Sequence, residues 1–403
     1  MSNQHTMKAF IKYLTFLMLP VVLIGLMSCE KEDDSQASDG PPSVSYIRST
    51  DPALSDSLLV GSFMGSLIAI VGDNLGDTRE LWFNDQRATL NPTYVTKKSI
   101  IVSVPSTVPT VVTNKIRFVF GDGSELLHDF SVNVPAPTLT GIKCEYVPDG
   151  ETVTLYGDFF FDPKVIFPGE VEATVVSFTK TEIQATVPTG ATPGQIVVKT
   201  TFGSAKSKFY FRDDRNIILD YDTKLHETWT APITNTGNNP AMEECAGSYV
   251  FFKSASHGAW QWVNEMTMQY WAPRGRGNVA VASGLPSDLS LKFEANVPIE
   301  WKSVRMEIFF APYSEDHGRD LPSTVFARWR PWKDGPYKTD GWETITIPLS
   351  EFKYGKDDPE DGLGSTSISN LASLTNITMM LFGPADEATP IQIAVDNIRI
   401  VQN

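Results

Sequence analysis

Two stretches of this 403-residue chain repeat each other at a nearly constant offset. Leu67-Ile-Ala-Ile-Val-Gly72-Asp73-Asn74-Leu75 aligns with Glu151-Thr-Val-Thr-Leu-Tyr-Gly157-Asp158-Phe159-Phe160. Leu81-Trp82-Phe83 with Ala88-Thr89 aligns with Val165-Ile166-Phe167 with Ala173-Thr174. Ser99-Ile-Ile-Val-Ser-Val104-Pro105 aligns with Glu182-Ile-Gln-Ala-Thr-Val187-Pro188. The offset is 85 residues at the first glycine and 83 at the last proline. Three blocks that stay in step mark a tandem duplication. Within each copy, apolar and polar residues alternate over short runs, the period of a strand with one buried face in a sandwich. The Gly-Asp corner suits backbone with φ > 0, and Val-Pro closes a strand where no ladder donor is needed. One β-sandwich is therefore expected over residues 42–134 and a second over 135–214.

These blocks resemble the immunoglobulin-like IPT/TIG domains, which in secreted proteins serve mostly as spacers. No catalytic constellation falls within them. Arg212-Asp213-Asp214-Arg215 marks a boundary, and composition changes beyond it: eight of the nine Trp lie between Trp229 and Trp342. Residues 215–403 read as strands, among them Ser290–Ala295, Val304–Phe310 and Trp342–Ile347, with no long amphipathic helix. The expected fold class is all-β: two tandem immunoglobulin-like (IPT/TIG) β-sandwiches followed by a larger jelly-roll β-sandwich.

The N-terminus reads as an export signal over residues 1–28. Lys8 and Lys12 precede an apolar run from Leu14 to Met27, shorter than the ~18–20 residues that span a bilayer. The run ends in Leu26-Met27-Ser28-Cys29, which resembles the lipobox of bacterial lipoproteins. That resemblance implies lipidation of Cys29, a tether that does not cross the membrane. Residues 29–41 then form an acidic, polar linker beginning Glu30-Lys31-Glu32-Asp33-Asp34. An acidic cluster at this place resembles the signal that sends lipoproteins of glycan-degrading gut anaerobes to the exterior. An outer-membrane, lipid-anchored, outward-facing location is thus expected. The net charge of −15 and the lack of a basic region exclude nucleic acid as a partner.

The opening Ile217-Ile-Leu-Asp220-Tyr-Asp222 and the closing Val395-Asp396-Asn397-Ile-Arg-Ile400 resemble jelly-roll carbohydrate-binding modules. So does Gly341-Trp342-Glu-Thr-Ile-Thr-Ile-Pro348. With the lipobox and repeats in front, the chain resembles surface glycan-binding lipoproteins of polysaccharide-utilisation systems, of the kind that hold xyloglucan or mixed-linkage β-glucan. The resemblance implies a neutral β-glucan as ligand. It also implies, as partners, an importer with its lid lipoprotein and surface glycosidases. The chemistry agrees: a flat aromatic ring covers the apolar face of a pyranose and excludes water, while Arg, Asn and carboxylates select hydroxyls at the edge. Two stretches, Trp260–Arg276 and Arg328–Lys338, carry that mixture. From them Trp329, Trp332, Tyr337, Trp271, Tyr270 and Arg330 are the candidate glycan-binding residues. Trp260 and Trp262, two apart on a presumed strand, suit core and platform equally, and Trp342 reads as core or scaffold.

Rival functions are an adhesin, using the same aromatic face on a protein, and a glycoside hydrolase. Candidate carboxylates for the latter exist (Glu265, Glu307, Asp334, Glu343), but no catalytic-family motif surrounds any pair. The expectation is a protein that is not an enzyme and needs no cofactor. Asp220, Asp222 and Asp396 offer hard oxygen ligands for a structural Ca2+ if they meet; side chains serving turns and strand ends is the simpler reading, and no metal site is assigned. Cys144 and Cys245 fall in different domains and read as two separate buried thiols. His257 and His317 read as solvated loop residues.

Overall fold

The computed structural model describes residues 40–54, 56–226, 230–270, 279–313, 318–355 and 366–403. Among these, helical structure is confined to 3-10 turns of three or four residues, and everything else with regular hydrogen bonding is β. The all-β fold class expected from the sequence is observed. The chain divides into two compact units, the first ending at Val134 and the second running from Pro135 to Asn403.

In the first unit, Ser43–Ser49, Leu67–Asp73 and Ser99–Ser103 form one sheet. Gln86–Arg87, Thr78–Phe83, Lys115–Phe120 and Glu125–Asp129 form the other, and Gly61–Phe63 pairs in parallel with Ser131–Asn133. Alternation sets the core: Ile68 and Ile70, Ile100 and Val102, and Ile116 and Phe118 all point inward.

The second unit opens with the equivalent sandwich. One sheet runs Thr138–Ile142, Thr152–Asp158, Glu182–Thr186, Thr174–Phe178, and the other runs Val171–Glu172, Lys164–Phe167, Val197–Thr200, Gly203–Lys206. The repeated glycine has a physical cause. The N–H of Gly72 donates to Lys98 O (2.9 Å) and that of Gly157 to Thr181 O (3.0 Å). A Cβ would stand 2.0 Å from Ser43 O at Gly72 and 1.9 Å from Thr138 O at Gly157. Each glycine is required by close approach of a neighbouring strand at a register shift. The positive φ expected at this corner falls two residues on, at Asn74 (59°) and Phe159 (60°).

The rest of the second unit is a two-sheet sandwich. Its larger sheet orders Ile233–Thr234, Tyr249–His257, Thr389–Gln402, Leu289–Asn296 and Glu343–Pro348, with Ile217–Leu219 also bonded to Thr389–Gln402. Opening and closing segments thus share a sheet. The second sheet orders Thr267–Tyr270, Asn376–Leu381, Met306–Ala311, Val325–Trp329 and Lys353–Tyr354. Phe252, Phe293, Trp301, Ile308, Phe310 and Ile393 are among the side chains that fill the space between them.

Within this unit a buried charge cluster joins the immunoglobulin-like and jelly-roll parts. Arg399, fully buried, donates to Glu145 Oε2 (2.6 Å) and Glu294 Oε2 (2.8 Å), while Lys292 Nζ reaches Glu145 Oε1 at 2.5 Å. Thr344 Oγ1 accepts from Glu145 N (2.7 Å) and donates to Glu294 Oε1 (2.8 Å). Two cations therefore meet two carboxylates across the junction, the arrangement a buried charge needs.

Cys144 and Cys245 are buried free thiols. Their Sγ–H groups point at Tyr146 O (3.0 Å) and Asp396 Oδ2 (3.3 Å), and burial pushes both thiols well up from their ordinary range. Since the thiolate is the reactive form, a thiol reagent added to the native protein should label neither, and should label both after denaturation. Rapid labelling in the native state would contradict this packing.

Asp220 serves its own turn, accepting from Thr223 N (2.8 Å), Thr223 Oγ1 (2.6 Å) and Lys224 N (2.6 Å). Asp222 accepts from Ser248 N at 3.0 Å, and Asp396 is buried beside Cys245. Among the described residues no group of three His, Cys, Asp or Glu side chains is placed to hold a metal. His257, expected in solvent, is fully buried with Nε2 2.8 Å from Leu381 O. His317 lies outside the described residues.

Candidate functional site

Strand parity decides which side chains of the five-stranded sheet are available. Met268 and Tyr270, Ile377 and Met379, Ile308 and Phe310, and Val325, Ala327 and Trp329 all enter the core between the sheets. Their alternates occupy the outer face in two rungs. Glu307 lies opposite Arg328 on one side and Met380 on the other; Phe309 lies opposite Phe326 and Thr378. Much of this face is itself covered: Phe309, Ala311, Phe326 and Met380 form a small buried cluster, with Phe382 half-buried against it.

The exposed end of this face is aromatic. Phe382 continues the outward parity of Met380, and two indoles meet it edge-to-face, Trp260 at 5.3 Å and Trp262 at 6.2 Å between centroids. They are 44% and 46% exposed, the only described Trp residues among the exposed large hydrophobic side chains. The sequence left their role open between core and platform, and the structure puts both at the surface. They lie on no strand: Trp260 has φ +55° and its N–H donates to Gly383 O at 2.8 Å. That left-handed residue turns the chain so that the indoles stand against the end of the sheet.

Arginines border the rings. The Arg305 guanidinium sits 5.9 Å from the Trp260 ring and that of Arg319 5.1 Å from Phe382. Both are oriented from below by Glu307, which is fully buried and accepts from Arg319 Nε at 2.8 Å. Its other oxygen stands 3.4 Å from Arg328 and 3.9 Å from Arg305. Burial brings the Arg328 guanidinium down to about 10, against the pull of Glu307, so it stays charged at neutral pH. Arg305 is itself buried, so the partly exposed Arg319 is the guanidinium that a ligand with an apolar face and hydroxylated edges could reach beside these rings.

The candidates named from sequence fall elsewhere. Trp329 and Tyr270 are core residues, each 8% exposed. Trp329 packs edge-on against Trp301 (5.1 Å) and Phe293 (5.3 Å). The reason is parity: Trp329 is the last residue of its strand and shares the inward face of Val325 and Ala327, and the break at Pro331 comes after it. Trp329→Ala should therefore destabilise the fold by ~3–5 kcal/mol in a denaturant titration; a stable variant with weakened ligand binding would contradict this placement. Trp332 and Tyr337 are half-buried against the same core. Tyr337 is bridged to Trp301 through main-chain bonds of 2.8 Å, and its hydroxyl donates to Glu343 at 3.3 Å. Arg330 is half-buried at the turn that follows. Trp271 and Cys29 lie outside the described residues. Trp342, read as scaffold, is half-buried and edge-on to Tyr249 at 5.4 Å. Arg305, Arg319 and Phe382 were not singled out from sequence. Phe382 was legible, since Ile377, Met379 and Leu381 alternate inward and leave it outward.

Residues 211–402 match the family described as the surface glycan-binding protein B xyloglucan binding domain. An IPT/TIG domain-containing protein of Bacteroides ovatus is 33% identical over 174 residues, 40% of this chain and 34% of that protein. The match thus spans about a third of that relative's length. The crystal structure of surface glycan-binding protein B from Prevotella bryantii is similar over 90% of this chain and 99% of its own, with a TM-score of 0.71 at 27% identity.

Proposed function

We propose that this protein captures a neutral β-glucan, with xyloglucan or mixed-linkage glucan favoured, and presents it at the cell exterior for degradation and import. The observation that carries this reading is the pair of exposed indoles, Trp260 and Trp262, set around Phe382 and bordered by Arg305 and Arg319. Each indole stacked on a pyranose contributes about 1–2 kcal/mol from buried apolar area. Two platforms with edge hydrogen bonds suit micromolar affinity, about −8 kcal/mol. The half-buried Trp332 and Tyr337 remain candidates for aromatic contact with the same glucan.

The reading is of a binding protein, not an enzyme. Glu307, one of the carboxylates considered for hydrolysis, is held by arginines and is fully buried, which suits a positioning role. Lipidation of Cys29 would anchor the chain in the outer membrane, with the immunoglobulin-like domains as spacers and an importer, its lid and surface glycosidases as neighbours. Among the described residues no helix is long and apolar enough to cross a membrane. Affinity electrophoresis through xyloglucan, barley-type mixed-linkage glucan, glucomannan and xylan tests the reading. Retardation by the first two is expected, without release of reducing sugar. Migration unchanged in every gel would overturn it.

A further inference from the structure

We propose a second carbohydrate site, built around Trp342 at the junction of the second immunoglobulin-like domain with the jelly roll, that takes a short neutral glucan segment. It rests on the reading that the protein handles such glucans, but it lies apart from the Trp260–Trp262 end. Trp342 opens the Glu343–Pro348 strand of the larger sheet, whereas those indoles stand against the five-stranded one.

The junction encloses a cleft of about 660 Å³, within the ~300–1,000 Å³ typical of small-ligand sites. Lys143, Glu151 and Thr152 line it from the immunoglobulin-like side, and Asn296, Lys338 and Trp342 from the jelly roll. One aromatic surface ringed by amide, hydroxyl, ammonium and carboxylate groups is the pattern that suits a pyranose, with its apolar face and hydroxylated edge.

Its walls are fixed in advance. Thr344 N donates to Lys143 O (2.9 Å), Lys143 Nζ to Asp340 O (2.5 Å), and the buried cluster of Glu145, Lys292, Glu294 and Arg399 lies behind them. The indole is fixed as well. Its N–H donates to Glu243 O at 2.7 Å, and Tyr249 packs edge-on against it. A ligand would therefore meet an ordered surface and lose little free energy to reorganisation. With a single platform, a dissociation constant on the order of 1 mM is expected.

The test is a titration of the full mature chain with cellotetraose, followed through the tryptophan indole N–H resonances. The Trp342 signal is identified by its loss in Trp342→Phe, or by broadening from a spin label at Lys338→Cys should that variant not fold. In Trp260→Ala/Trp262→Ala, the Trp342 resonance should still move saturably. Thr152→Arg, which places a long side chain in the cleft from an exposed position, should abolish the movement. A Trp342 resonance that stays still while those of Trp260 and Trp262 move in the wild type would overturn this site and leave the proposed function standing. Movement that persists in Thr152→Arg would overturn it equally. If no indole responds, both readings fall together.

Discussion

Replacing Trp260 and Trp262 together by alanine is expected to weaken β-glucan binding by about 30- to 1,000-fold, the loss of two stacked rings at ~1–2 kcal/mol each. Thermal stability should change little, because both indoles are nearly half exposed. Each single variant should fall between wild type and the pair, and rings that bind one ligand together need not contribute additively. Calorimetric titration alongside thermal unfolding separates the two effects. Wild-type affinity in the double variant would remove the glucan from this end of the sheet.

The second large effect is on folding. Arg399→Met leaves Glu145 and Glu294 buried without their shared guanidinium, while Lys292 stays bonded to Glu145. Breaking a buried ion pair on one side costs about 3–5 kcal/mol, because the remaining charge keeps its desolvation penalty. Urea unfolding should show that loss directly. Converting Glu145 and Glu294 to Gln in the same chain should recover part of it, since neutral amides are less costly to bury than unpaired carboxylates. A midpoint unmoved by Arg399→Met would mean that the cluster does not hold the junction. Glu294 already points the same way, its carboxyl pushed up by burial against the opposing pull of Arg399.

Much of the architecture was legible because it rests on short-range rules. The duplication showed in three blocks, and the structure explains the invariance of Gly72 and Gly157 by a neighbouring carbonyl that leaves no room for a Cβ. The period-2 runs gave the right core in both repeats. The site was harder to read, for two separable reasons. For Trp329, Pro331 and Gly335 drew attention to a loop, but the parity of Val325 and Ala327 already assigned the ring to the core. For Trp260 and Trp262 no local rule sufficed. Their surface position depends on a left-handed residue at Trp260 and on a contact with Phe382, 120 residues further along the chain. Arg305 and Arg319 were invisible for the same reason: they come from separate segments and meet Arg328 at Glu307. Asp220 is the reverse case: its carboxylate caps its own turn, a role its sequence position already allowed.

Where the sugar lies decides the proposed function. The most direct measurement is a crystal structure of the mature chain soaked with a xyloglucan-derived oligosaccharide. The prediction is a glucose ring stacked on Trp260 or Trp262, with hydroxyls within hydrogen-bonding distance of Arg319. Sugar density confined to the Trp332–Tyr337 turn, with Trp260 and Trp262 left bare, would contradict it.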